Sequence, residues 1–207
     1  MTAPRVTVLD YGAGNTASVV RAFRRLGAGV DFTSDAERVA GSRRVVLPGV
    51  GAFGDARRRL AAAPGLEEAL RAALASGARL IGLCVGFQLL FEEGLEFGVT
   101  KGLGLLGGRV APFPAGVRTP HIGWNELERS AAGKRLLAGV ADGSHVYFVH
   151  SYRAEGAAAG DVAATCDYGG GFPAAVESGD VWGCQFHPEK SSDVGRLILT
   201  NFLEGAP

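Results

Sequence analysis

The sequence predicts one three-layer α/β domain over residues 1–207: a central mixed, mostly parallel sheet flanked by helices, with an added antiparallel portion. Three observations carry this. The first half alternates short β-rich runs with stretches of helical spacing, the signature of parallel strands covered on both faces. The second half changes to β-like runs separated by turn residues. No linker or internal repeat interrupts the 207 residues, and 47% of them are hydrophobic, enough for one sizeable core.

In order, "RVTVLD" reads as a strand. Residues 15 to 26 follow with Val19, Val20, Phe23 and Leu26 at helical spacing. "AGVDFT" and "RRVVLP" are the second and third strands, and helical patterns occupy 54 to 62 and 66 to 75. A fourth strand, within "RLIGLC", runs into Cys84, and a helix-like pattern starts directly after it. Beyond this point "GGRVAPF", "GWNEL", "SHVYFVHSY", "GDVAATCDY", "FPAAVES" and "DVWGCQFH" are β-like, and a helix over 192 to 203 closes the fold.

Composition removes several classes of function. The formal net charge is +0 with both signs mixed, which does not suit a nucleic-acid surface or a polybasic membrane patch. No apolar run approaches the roughly 20 residues of a spanning helix, and the N-terminus has no apolar signal core. The three cysteines, Cys84, Cys166 and Cys184, have no metal-site spacing and suit free thiols in a reducing cytosol.

The chemistry concentrates in "GLCVG". Ligands of open α/β sheets collect at the carboxyl ends of strands, and Cys84 stands at such an end. A turn from strand into helix lifts the side chain out of the sheet, and a helix N-terminus beneath it favours thiolate. Small neighbours are needed where the two backbones pass close together, so the stretch reads as a nucleophile elbow with cysteine in the serine position. The competing reading is a buried cysteine acting as a small hydrophobe. A nucleophile needs a base and an orienter. Of His121, His145, His150 and His187, the last is best placed, in "FHPEKS" at a strand end. Alternation along an extended chain points His187 and Glu189 the same way, and Pro188 stiffens the pair. A carboxylate on one ring nitrogen leaves the other for the thiol. The Val85 N–H is a natural oxyanion donor, and a second is expected from "LPGVG", where Gly49 and Gly51 allow unusual peptide orientations.

"GLCVGFQ" followed by "FHPE" resembles the class I glutamine amidotransferases, over nearly the whole chain. The resemblance implies a glutaminase working through a cysteine thioester. Cys84 would be the nucleophile, His187 the base and Glu189 the orienter, with Val50 and Val85 supplying oxyanion N–H groups. Gly49, Gly51, Gln88, Glu96, Ser151 and Tyr152 would hold the substrate. No cofactor and no metal are implied. "VLDYGAGN", "PGVGAFGDA", "PHIGWN", "YFVHSY" and "QFHPEKS" are similar to the branch that serves histidine biosynthesis. There the partner is a (β/α)₈-barrel cyclase that receives the ammonia, in a heterodimer. Asn15, Pro120, His121, Trp124, Asn125, Tyr147 and Lys190 would then face that partner. Lysine is scarce, with Lys101, Lys134 and Lys190 beside 18 arginines, and one of the three falls at this place. Departures are Val85 and Phe87 where Leu and Met are common, Arg153 where an aromatic is frequent, and Cys184 before Gln185.

Three other readings compete. Gly12, Gly14 and Ala17 fit G-x-G-x-x-A after a strand, with Asp31 near the ribose-binding distance of a dinucleotide enzyme. That pattern has no second nucleotide-binding half and leaves the triad unexplained. A cysteine peptidase or γ-glutamyl hydrolase would keep the elbow and change the reaction. A non-enzymatic binding module would leave Cys84 inert to a glutamine-analogue electrophile. Trp182, in a strand-like run, reads as core, and Trp124, in a polar-rich segment, as partner surface.

Overall fold

Alternating apolar residues make the first strands two-faced, and the sheet is built on that alternation. The computed structural model describes residues 3–14, 16–131 and 135–205. In chain order the first elements are β1 (Arg5–Leu9), α1 (Thr16–Arg25), β2 (Gly29–Thr33), α2 (Ala36–Ala40), β3 (Arg44–Leu47), α3 (Phe53–Ala62), α4 (Leu66–Ala75), β4 (Arg79–Leu83) and α5 (Val85–Gln88). Within β4, Ile81 and Leu83 enter one core cluster and Leu80 the other, while β3 divides Val46 from Val45 and Leu47 in the same way. The apolar face of α1, Val19, Val20 and Phe23, closes the first cluster. Leu60 of α3 and Leu66 and Leu70 of α4 close the second.

The remaining elements are β5 (Glu93–Gly94), β6 (Thr100–Lys101), β7 (Arg109–Pro112), β8 (His121–Arg129), β9 (Ser144–His150), β10 (Tyr152–Glu155), β11 (Val162–Asp167), β12 (Gly171–Ser178), β13 (Val181–Cys184), a 3₁₀ turn at Pro188–Lys190, and α6 (Ser192–Glu204). α6 packs Ile198, Leu199 and Phe202 onto the same face as α1. The nine-stranded sheet runs β2-β1-β3-β4-β13-β12-β11-β8-β9. Its pairings are parallel from β2 through β13 and antiparallel from β13 to β9. A second, four-stranded sheet runs β10-β7-β5-β6.

Three local features differ from the sequence pattern. The run "SHVYFVHSY" is two strands in different sheets, broken by a bend at Ser151. α2 and the two-residue strands β5 and β6 carry too few residues to show a period. The helical pattern after Cys84 yields a helix of only four residues. The N–H groups of Leu103 and Leu105 take the carbonyls of Leu89 and Leu90 at 2.8 Å each, so the chain is captured by a neighbouring segment instead of continuing as helix. Among the described residues no helix is long and apolar enough to cross a membrane. Trp182 is fully buried, with its indole N–H on the Gly179 carbonyl at 3.0 Å, as a core residue.

Candidate functional site

β4 ends at Leu83, and the next residue turns back with φ 53 and ψ −110, a strained conformation for a residue with a side chain. That residue is Cys84. The cleared flanks follow from distance. A Cβ on Gly82 would stand 2.6 Å from Gly86 O, and one on Gly86 only 1.9 Å from Leu47 O. A Cβ on Gly49 would stand 2.5 Å from Gly86 N, so the elbow and the neighbouring Gly49 loop touch backbone to backbone. Behind the thiol stands a single helical turn, Val85–Gln88. The thiol's charge partner is His187.

β13 lies beside β4, and the Cys84 N–H donates to Cys184 O at 2.8 Å, which brings the chain after β13 alongside the elbow. Glu189 Oε1 accepts from His187 Nδ1 at 2.8 Å, and both side chains are buried, at 5% and 1% exposure. The 3₁₀ turn makes this contact, in place of the extended chain the sequence suggested. A carboxylate only accepts here, so Nδ1 carries the proton and Nε2 is left for Cys84. Burial opposes the imidazolium, but hydrogen bonding and charge from Cys84 and Glu189 push its pKa up to about 10. The thiol itself rests on the Val149 carbonyl, 3.9 Å away, with His187 within electrostatic reach. The second oxygen of Glu189 is buried without a partner among the described residues.

Cys84 and His187 open into a cavity of about 360 Å³ that also contains Val50, Val85, Gln88 and Glu96. A larger cavity, about 530 Å³, lies at the opposite ends of β1 and β3 among Arg5, Arg38 and Arg44, and contains neither thiol nor imidazole. Glu96 Oε2 accepts the first N–H of α3, from Phe53, at 2.6 Å. Gln88 Nε2 donates to Tyr152 O and Gln185 Oε1, both at 3.0 Å. Gly51 and Ser151 line the same space. The Val85 N–H is not free: it donates to Gly49 O at 3.3 Å. The N–H of Val50 belongs to the same planar peptide as that carbonyl and so points the opposite way. Beneath this loop the buried Tyr11 hydroxyl donates to Pro48 O, and burial followed by the nearby Cys84 raises the phenol pKa.

The residues expected at a partner face divide. Trp124 and Tyr147 are cross-strand neighbours with ring centroids 6.0 Å apart, and Lys190 Nζ lies 5.8 Å from the Tyr147 ring. Trp124 is 49% exposed and Ile122 beside it 59%. Pro120 and Lys190 reach the rim of the Cys84 cavity, so this patch and the cavity are continuous. His121 does not belong to it. At 1% exposure it is enclosed by Phe148 and Tyr168, which stack on it at 4.7 and 3.9 Å, and it offers no surface to a partner. Asn125 is half-buried, with its amide on Asp167 O at 3.4 Å. Asn15 lies outside the described residues.

Sequence reasoning missed Tyr11, His150, Gln185 and Ser191. Ser191 Oγ accepts from Tyr147 N–H at 3.0 Å and donates to His187 O at 2.7 Å, fixing the backbone that carries the imidazole. The serine after "HPEK" was visible, but its bond to β9 was not.

The family described as glutamine amidotransferase class-I matches residues 7–206. A Rhodopirellula baltica protein named imidazole glycerol phosphate synthase subunit HisH is 46% identical over 95% of this chain and 96% of its own. The protein of that name from Brucella abortus is 45% identical over 98% of this chain and its whole length. In fold, the structure of PurLQS from Thermotoga maritima superposes with a TM-score of 0.74 at 21% identity, covering 99% of each chain. A glutamine amidotransferase crystal structure gives 0.72 at 24% identity, covering 95% of this chain and 98% of its own. The dinucleotide reading of the first glycine-rich turn falls with these matches. The chain belongs to the class I glutamine amidotransferase family, among its imidazole glycerol phosphate synthase subunit HisH members.

Proposed function

We propose that the chain hydrolyses glutamine to glutamate and ammonia through a Cys84 thioester. The ammonia is passed to a (β/α)₈-barrel cyclase, which makes imidazole glycerol phosphate and AICAR in histidine biosynthesis in the cytosol. One observation carries the chemistry: a strained elbow cysteine and His187 share a cavity of about 360 Å³, with the buried Glu189 bonded to the imidazole from behind. The sulfur, its proton held by His187, attacks the side-chain amide carbon. The tetrahedral oxyanion is held by the Val85 and Val50 N–H groups once the Gly49–Val50 peptide has turned. The imidazolium gives its proton to the amide nitrogen, the C–N bond breaks, and ammonia leaves. Water attacks the thioester with His187 as base, releasing glutamate and restoring the thiol. Glu96 and the Ser151–Tyr152 backbone grip the amino-acid end, and Trp124, Tyr147 and Lys190 face the cyclase.

The test is glutamate release by the chain alone and with a candidate cyclase. Cys84→Ala is expected to abolish it, with external ammonia still feeding the cyclase, while Cys166→Ala and Cys184→Ala keep most of it. Glutamate release by Cys84→Ala would sink the proposed mechanism. Peptide hydrolysis without glutamine turnover would favour the peptidase reading.

A further inference from the structure

Two buried histidines behind the cavity remain unused by the chemistry above. His121 and His150 face each other directly across the β8–β9 ladder, and register puts both side chains on one side of it. His121 Nδ1 lies 3.0 Å from His150 Nε2, and His150 Nδ1 lies 2.8 Å from Tyr152 O. A carbonyl only accepts, so His150 Nδ1 carries a proton. Its Nε2 is then the acceptor in the neutral ring, and His121 Nδ1 is the donor. His121 Nε2 is left bare, and it is buried without a hydrogen-bond partner among the described residues. The Asn125 amide is near enough to favour a charged His121 slightly but does not meet hydrogen-bond geometry. Both rings are kept neutral by burial, which pulls the His150 pKa down to about 3 and lowers that of His121. The pair is therefore a one-directional relay of hydrogen bonds ending on a single backbone carbonyl.

That carbonyl sits where the chain leaves the nine-stranded sheet at His150 and enters the four-stranded sheet at Tyr152. Ladder hydrogen bonds of either sheet do not span such a crossover, and Ser151 between them is exposed. Tyr152 O receives two donors, His150 Nδ1 and Gln88 Nε2, so both its lone pairs are engaged. We infer that His150, with its tautomer fixed by His121, is a positioning residue that aims the Ser151–Tyr152 backbone at the amino-acid end of the substrate. This rests on that segment gripping glutamine, as proposed above.

The experiment is steady-state glutamate release by the full chain with its cyclase, comparing wild type, His150→Phe and His150→Asn. Phenylalanine keeps the ring and loses the donor, and asparagine keeps a donor near the Nδ1 position. The expected result for His150→Phe is a KM for glutamine raised about five- to tenfold, the worth of about one net hydrogen bond. Its kcat should stay within about threefold of wild type, and the alkylation rate of Cys84 by iodoacetamide should be unchanged. His150→Asn is expected to recover most of the KM. A purely structural role would not separate KM from kcat or be rescued by asparagine. Unchanged KM in folded His150→Phe, or asparagine as harmful as phenylalanine, overturns the inference. If His150→Phe does not fold, His121→Phe removes the donor to His150 Nε2. It must raise KM in the same direction, and an unchanged KM there is equally fatal. A wild-type complex that releases no glutamate sinks the glutaminase reading and this inference together. A working complex with unaltered variants sinks the inference alone.

Discussion

Activation of the glutaminase is expected to turn on one peptide plane. Gly49 O occupies the Val85 N–H, and the Val50 N–H points away, so neither oxyanion donor is available in this state. Losing one such donor typically costs about 10²–10³ in turnover, or about 3–4 kcal/mol. The bond that holds the peptide in place contributes only about 1 kcal/mol net, a population factor of about five. A stimulation of at least about 10² therefore requires the turned peptide to be populated at about 1% or less in the free chain, about 3 kcal/mol uphill. About 2 kcal/mol must then come from loop packing beyond that bond, and the ligand-loaded cyclase must offset the whole difference through contacts it makes only with the turned orientation. The assay is glutamate release by the isolated chain, the complex, and the complex with cyclase ligand. Val50→Pro, which has no N–H, is expected to lower the stimulated rate by about 10²–10³. Val50→Ala, which keeps the N–H, should stay within a few-fold of wild type. Equal turnover in all three states of the wild type refutes gating. Full stimulation of Val50→Pro refutes Val50 as the donor.

Glu189→Gln is expected to reduce turnover less than His187→Ala, because the orienter sets geometry and charge without moving the proton. His187 keeps its proton towards pH about 10, so the alkaline limb of kcat/KM should lie well above the ordinary imidazole range and move down in Glu189→Gln. A limb that does not move would contradict this account of the shift. The same raised pKa makes His187 stabilising below its ordinary value of 6.5, a contribution lost as pH rises through about 10. His150 has the opposite sign. With its pKa pulled down to about 3, the folded state binds fewer protons than the unfolded one between pH 3 and 6.5. Its contribution is complete above pH 6.5 and is lost on acidification, approaching about 1.4 kcal/mol per pH unit. Urea midpoints between pH 7.5 and 5 should show that slope flatten in His150→Asn, and identical slopes would reject the assignment. Lys190→Ala should leave Cys84 alkylation intact and uncouple the partners, read as excess glutamate over cyclase product. An ion pair between Lys190 and the cyclase would be worth a few kcal/mol if desolvated and much less at the rim. Fully coupled turnover would remove Lys190 from the interface.

What the sequence made legible follows from range. β1, β3 and β4 and the faces of α1 and α4 were readable because burial forces a local period on them. The elbow and the His187–Glu189 pair were readable because each is set by neighbours within two residues. The abrupt end of α5 was not, since the N–H groups that end it come from Leu103 and Leu105. The burial of His121 was hidden for a similar reason: "PHIGWN" looks polar until the β8 register places alternate residues under Phe148 and Tyr168. The direction of the Gly49 carbonyl has no sequence signal at all. Glycine permits either orientation, and a hydrogen bond to Val85 decides between them.

The adjacency of β4 and β13 bears on the order in which the protein becomes reactive. A backbone hydrogen bond runs from Cys84 N–H to Cys184 O, yet the antiparallel strands β8, β9, β11 and β12 all lie between them in the chain. Closing so long a loop is slow compared with local helix and hairpin formation. The imidazole that takes the thiol's proton follows β13, about a hundred residues after the thiol. A growing chain thus carries its nucleophile early and its base late. Through that interval the cysteine has no base beside it, and the catalytic pair is complete only when β13 slots in beside β4.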